Sequence, residues 1–276
     1  MKPMIRITDI KDERILIFNQ LNEKQLFHYN EPDLGIFICE SPKVIERALQ
    51  GGYKPLCALT EENIDKETER VINKLGDIDI YTASQEILLS ITGFNLTRGL
   101  LCAFERKENR NVENLLKDSQ VIAVLEDVVN PTNIGAIFRS AAALNIDCII
   151  LSNNCCDPLY RRSARVSMGT VFQIPYCFIN DWDDNGIEKL RQFGFTSLAL
   201  SLCDNTISIE DEVLQSKDKL AIILGNEGYG LKKETIDNSD YSVKIPMNES
   251  VDSLNVAAAS AVAFWQLNSK RRKMNE

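Results

Sequence analysis

Residues 121–151 read VIAVLEDVVNPTNIGAIFRSAAALNIDCIIL. The apolar run Val121–Val129 predicts a buried strand. Pro131 and its polar neighbours end that strand and open a helix over Asn133–Leu144. Asn145 is the left-handed stop, and Cys148–Leu151 is the next strand. Strand, helix and strand in close succession are the unit of a parallel sheet covered by helices. Gly135 and the alanines permit close approach of another backbone, and Arg139 shares a face with Gly135 by i, i+4 spacing. Taken alone, the segment is a core helix with one snorkelling arginine.

The alternation continues downstream. Helices are expected near Ser163–Val171, Ile187–Phe193, Lys232–Ile236 and Leu254–Asn268. Strands are expected at Pro175–Ile179, Thr196–Leu200, Leu220–Leu224 and Ser242–Ile245. Upstream, Gly35–Cys39, Pro55–Leu59, Ile78–Thr82 and Leu100–Phe104 read as strands. A helix follows Ser41 as N-cap and Pro42, another crosses 62–75, and a third covers Ser84–Ile91. The charged stretch 105–119 separates the two regions. The fold expected is α/β: a smaller N-terminal α/β domain over 1–110, then a domain with a mostly parallel sheet over 119–276. Ligands of such sheets bind at the carboxyl ends of the strands.

Hydrophobic residues make up 44% and charged residues 26% of the 276, an ordinary globular balance. No apolar run reaches the length of a membrane span and the start carries no signal-peptide block, so a cytoplasmic protein is expected. The eight cysteines are scattered without a Cys-x-x-Cys pair and His28 is the single histidine, so no metal site is expected and the thiols read as reduced. A net charge of −9 counts against a nucleic-acid partner and toward a small-molecule enzyme. Basic clusters remain locally, at Arg98/Arg106/Lys107/Arg110, Arg161/Arg162/Arg165 and Lys270–Lys273.

Two further segments sit at strand ends. Leu224-Gly225-Asn226-Glu227-Gly228-Tyr229-Gly230-Leu231 is glycine-rich, but it is neither a dinucleotide fingerprint nor a P-loop. Glu227 there suits ribose hydroxyls or an amine; alone, the segment reads equally as a tight turn with a solvated carboxylate. The third runs Ile245-Pro246-Met247 to Ser253-Leu254-Asn255-Val256-Ala257, a strand stop followed by a helix start with Ser253 as N-cap.

Together the order N-P-x-N-x-G-A-I-x-R-S-A, then G-N-E-G-x-G-L, then I-P-M…S-L-N-V-A resembles the three signature motifs of SpoU-type (TrmH-like) methyltransferases of the SPOUT class. The match covers about residues 120–270, while 37–49 and 96–104 look like the family's small ribosomal-protein-like RNA-binding domain. The resemblance implies a C-terminal trefoil knot, a homodimer, and S-adenosylmethionine-dependent 2′-O-methylation of an RNA ribose. It implies cofactor contacts at Leu224, Gly225, Ile245, Met247 and Leu254, and catalytic positions at Arg139, Glu227, Ser253 and Asn255. Asn133 is the motif position expected at the RNA, and Arg98, Arg106, Arg161, Arg162 and Arg165 are candidate phosphate contacts. Two departures are visible: Ala257 where the family often has serine, and Asn145 where glycine is common. Arginine is a poor proton acceptor, so Arg139 is expected to position the ribose and stabilise a developing alkoxide. Ribosomal RNA is the expected substrate; the alternatives are a transfer-RNA ribose, or a non-catalytic RNA-binding or assembly factor on the same fold.

Overall fold

The computed structural model describes residues 3–92, 99–203, 205–248, 250 and 253–269. In chain order the elements begin with β1 (Ile5–Arg6), α1 (Leu16–Asn19), α2 (Glu23–Phe27), β2 (Ile36–Glu40), α3 (Pro42–Gln50) and β3 (Pro55–Glu61). Then come α4 (Lys66–Ile72), β4 (Asp79–Ala83), α5 (Gln85–Thr92), β5 (Leu100–Glu105) and α6 (Val112–Lys117). β6 (Val121–Leu125), α7 (Pro131–Ala143), β7 (Cys148–Ser152), α8 (Arg161–Val166) and β8 (Tyr176–Ile179) follow. Next are α9 (Trp182–Gln192), β9 (Thr196–Leu200), β10 (Ile207–Ser208) and α10 (Glu212–Gln215). The last are β11 (Leu220–Leu224), α11 (Lys233–Asn238), β12 (Tyr241–Lys244) and α12 (Val256–Leu267).

The chain divides into two compact units, Met1–Glu108 with Leu159–Gln173, and Asn109–Pro158 with Ile174–Glu276. The first is built on a five-stranded mixed sheet of order β1-β4-β3-β5-β2, which leaves β2 on an edge. Ile36, Ile38, Leu59, Leu101 and Ala103 fill one face of it with Ile15, Phe18, Leu26 and Leu88. On the other face Phe37 stacks on Phe104 at 5.6 Å and meets Tyr53 at 5.2 Å. The segment Leu159–Gln173, which in sequence simply continues the alternation after β7, makes its contacts in this unit. The cause is Glu40, 5% exposed at the end of β2: Arg161 Nε donates to it at 3.0 Å and Arg165 Nη1 at 3.4 Å. Arg47 Nη1 adds a bond to the Met168 carbonyl at 2.7 Å. A buried carboxylate must be paired, and α8 supplies the pair.

The second unit carries a seven-stranded sheet, β10-β12-β9-β11-β6-β7-β8, with every neighbour parallel. This is the parallel sheet expected from the alternation. Ile122, Val124, Ile150, Ala221 and Ile223 are buried with Trp182 and Leu190 from α9. On a parallel sheet each strand is covered on both faces, which is why these strands read as unbroken apolar runs.

Local boundaries shift for identifiable reasons. β6 ends at Leu125: the Glu126 N–H makes a last bond to the Leu224 carbonyl at 2.9 Å, and Asp127 then takes a left-handed backbone (φ 55°). α7 begins at Pro131, where Asn130 accepts from the Thr132 N–H at 2.8 Å as N-cap and Pro131 has no donor to lose. Asn145 is left-handed (φ 57°), as expected. At α12 the N-cap is Asn255 rather than Ser253: the Asn255 side chain accepts from the Ala257 N–H at 3.0 Å. Ser41 stands at the N-cap of α3, but its side chain makes no capping bond.

Candidate active site

Three adjacent strands of the second unit, β9, β11 and β12, end at one cavity of about 430 Å³. The start of α12 closes its side. The expected residues Leu224, Gly225, Glu227, Ile245, Met247, Ser253, Leu254 and Asn255 all line it. So do Leu200, Ser201, Leu202 and Cys203, which sequence reading missed. The signal was available: they form the carboxyl end of a parallel strand and the loop after it, where ligands of such sheets bind. Aliphatic side chains line it together with hydroxyl, amide and backbone groups. The cavity is of the size that holds small-molecule cofactors, and its lining mixes apolar surface with a few polar groups.

The glycine-rich loop closes on itself before it meets anything else. Asn226 N–H donates to the Gly230 carbonyl and Gly230 N–H returns to the Asn226 carbonyl, each at 3.0 Å. A Cβ at Gly225 would lie 2.3 Å from the Gly230 carbonyl carbon, so only glycine lets the strand turn back this tightly. From this closed loop Glu227 reaches the start of α7. Its carboxylate accepts from the Asn133 amide at 2.9 Å, the Asn130 N–H at 3.1 Å and the Val129 N–H at 3.3 Å. Asn255 then donates to Asn133 Oδ1 at 3.2 Å. One chain of hydrogen bonds thus joins all three motif segments. Burial pushes the Glu227 carboxyl up, but the Asn133 amide and the backbone donors outweigh it, so it ends below its ordinary value. Glu227 is a committed anion at the N-terminus of a helix, not a proton acceptor in waiting.

A second clamp, also unread in the sequence, holds the far end of that loop. Glu126, fully buried, accepts from Trp182 Nε1 and the Lys232 N–H, both at 2.7 Å, and from the Thr235 hydroxyl. Asp127 accepts from Ser152 Oγ at 2.7 Å and the Tyr229 hydroxyl at 3.2 Å, with Lys232 Nζ at 3.3 Å. Burial raises the Asp127 carboxyl, and the Ser152 and Lys232 contacts more than reverse that. Its backbone carbonyl takes the Asn226 amide at 2.7 Å. Both ends of the loop are therefore fixed to residues just after β6.

Arg139 does not line the cavity. It lies exposed on α7, six residues past Asn133 and hence roughly 120° around the helix, with no hydrogen bond or ion pair among the described residues. Of the candidate phosphate contacts, Arg106, Arg161, Arg162 and Arg165 all belong to the first unit. Arg161 and Arg165 hold Glu40, Arg106 is half-buried, and Arg162 is exposed. Arg98 and the cluster at 270–273 lie outside the described residues. All eight cysteines are free. Burial pushes the Cys148 and Cys155 thiols up to about 11, whereas hydrogen bonds from Ser201 and then Ser242 pull the exposed Cys203 thiol below its ordinary value. Among the described residues no helix is long and apolar enough to cross a membrane.

Comparison with known proteins places this geometry. The model of the SpoU rRNA methylase family matches residues 120–265. An uncharacterized tRNA/rRNA methyltransferase of Mycobacterium bovis is 34% identical over 265 residues, covering 94% of this chain and 90% of the relative. The Bacillus subtilis 23S rRNA (guanosine(2553)-2′-O)-methyltransferase RlmP is 22% identical across 96% of this chain and 99% of its own. The fold is shared with an AdoMet-bound rRNA methyltransferase from Sinorhizobium meliloti, at a TM-score of 0.82, 22% identity, and coverage of 97% and 98% of the two chains. With its three motif segments hydrogen-bonded around one strand-end cavity, this chain belongs to the SpoU rRNA methylase family.

Proposed function

We propose that this protein transfers a methyl group from S-adenosylmethionine to the 2′-hydroxyl of a ribose in RNA, most readily ribosomal RNA. The observation that carries the reading is the Glu227–Asn133–Asn255 chain, which ties the three motif segments to a cofactor-sized cavity. The family match and the near full-length relation to RlmP support the reaction class and the ribosomal substrate.

Bound S-adenosylmethionine supplies an electrophilic methyl group; the remaining work falls to this chain's residues. Leu224, Gly225, Ile245, Met247 and Leu254, which line the cavity, would hold it through side-chain walls and backbone groups. Glu227 and Asn133 hold the loop and α7 in register, and Ser253 and Asn255 add polar groups to the cavity lining. In-line displacement requires the hydroxyl to be aligned and bulk water kept from the methyl donor, and the hydroxyl proton leaves to solvent as the new O–C bond replaces the broken S–C bond. Arg139 fits the charge-stabilising part, since a planar guanidinium suits a ribose–phosphate and a developing alkoxide.

Because Arg139 points away from its own Asn133, a second copy is the natural source of the arginine at each site. Val262 and Trp265 on α12 are 40% and 59% exposed, and α12 packs on α7, so this helix pair has an apolar face suited to a homodimer. The order of the strands, with α12 returning against α7 and β11, supports the family's knotted threading. The first unit, which holds the candidate phosphate contacts, serves as the RNA-binding domain. Free thiols and the RNA substrate fit a cytoplasmic site of action.

Incubation with tritiated S-adenosylmethionine and ribosomal RNA, followed by ribose-methylation mapping, tests the assignment. One 2′-O-methylated nucleotide is expected. Base methylation, or no transfer despite cofactor binding, would overturn it.

A further inference from the structure

We infer that the β2 edge of the first unit recognises unpaired RNA bases by stacking, on a platform of Phe27, Tyr29 and Arg106. The inference rests on RNA being the substrate, and it adds the form of RNA that this unit selects.

Phe27, Tyr29 and Leu34 are 47%, 50% and 47% exposed within one short stretch. Isolated exposed apolar side chains need no account, but a run of them bearing two aromatic rings does. The Phe27 ring is also held in place. Phe27 closes α2, and the chain returns past it at Gly35, where a Cβ would lie 1.9 Å from the Phe27 carbonyl oxygen. Arg106 leaves β5 directly beside this point. Its N–H donates to the Gly35 carbonyl at 3.0 Å and its Nε to the Ile36 carbonyl at 3.1 Å. Its guanidinium carbon lies 4.7 Å from the Phe27 ring centroid, and His28 meets that ring edge-on at 5.1 Å. The guanidinium covers one side of the Phe27 ring and fixes it, while the ring remains 47% exposed for a base to stack on.

The neighbourhood favours bases over phosphates at this end. Glu31 lies 3.5 Å from His28 Nδ1, an anion that disfavours a backbone phosphate close by. At the other end of β2, α8 packs on the same edge strand and presents Arg162 to solvent. A strand of RNA along this edge would place phosphates near α8 and bases at Phe27. Duplex RNA hides its base faces, so a stacking surface selects unpaired nucleotides.

The test is fluorescence anisotropy with a short labelled oligoadenylate and, in parallel, a labelled RNA hairpin duplex. Wild type should prefer oligoadenylate. Phe27→Ala combined with Tyr29→Ala should weaken oligoadenylate binding by about tenfold or more, while hairpin binding stays within about twofold. Phe27→Trp should retain it. Tyr29→Ala alone, at a half-exposed side chain, with an unchanged melting midpoint, separates loss of stacking from loss of folding. No preference in wild type, an equal loss on both RNAs, or no loss in the variants would overturn the inference. Should those outcomes accompany normal ribose methylation of ribosomal RNA, the platform fails and the proposed reaction stands.

Discussion

Arg161 and Arg139 both stand on helices that flank a sheet, and their surroundings are opposite. Arg161, with Arg165, closes on Glu40, whose side chain is 5% exposed. Arg139 faces solvent from a helix of small residues, without an internal partner among the described residues. A ligand anion at Arg161 would have to displace a buried carboxylate, leaving an uncompensated charge behind. At Arg139 nothing needs to be displaced. The first unit thus uses two of its arginines to fix α8 to its sheet, and the second keeps one available.

The sharpest consequence concerns Arg139. Replacing it by alanine should lower single-turnover methyl transfer to ribosomal RNA by about 10²–10³-fold, the scale of one lost charge-stabilising donor. Calorimetry should find cofactor affinity unchanged, since the residue does not line the cavity. Mixing Arg139→Ala with Glu227→Ala protomers should restore part of the activity if the arginine acts across the dimer. Undiminished turnover in Arg139→Ala would remove the distinction between the two arginines.

Glu40 carries the next largest effect. Glu40→Ala leaves Arg161 without its partner in a site where its side chain is 23% exposed, and should destabilise the protein by about 3 kcal/mol in urea. Replacing Glu40 and Arg161 together by methionine should recover most of that, because an apolar pair of similar volume needs no desolvation of charge. An unchanged urea midpoint in Glu40→Ala would mean that the pair adds nothing and that Arg161 is as available as Arg139.

Much of the second unit was legible because strand ends announce themselves. Gly225 and Pro246 each follow an apolar run, and Pro131 opens α7 after β6 has ended at Leu125; the residues beside all three line or brace the cavity. The clamp at Glu126 and Asp127 was not legible. Inside an apolar run a carboxylate says nothing about its partners, and these lie as far off as Thr235, 109 residues along the chain. The same holds for α8: only the fold brings Arg161 to Glu40 across 121 residues. At α12, Ser253 and Asn255 are both good N-caps by type, and the backbone path chooses Asn255. Arg139 is singled out by its motif alone, while its position off the cavity follows from the register of α7 against Asn133.

The smallest effect tests whether Glu227 belongs with the committed charges or the available ones. Its carboxyl lies below its ordinary value of 4.5 in the folded protein, with burial opposing and the Asn133, Asn130 and Val129 donors prevailing. A depressed folded value means that its contribution to stability is complete above the unfolded value and fades as pH falls through the folded one. The stability gap between wild type and Glu227→Gln should therefore be constant from neutral pH down to about 5, then close on further acidification. Its size should be roughly 0.5–1 kcal/mol, since solvent screens much of the charge on this exposed loop. A gap that opens rather than closes toward acid pH would mean a raised carboxyl. Glu227 would then be a proton acceptor, available as Arg139 is, and the loop would take part in the chemistry instead of bracing it.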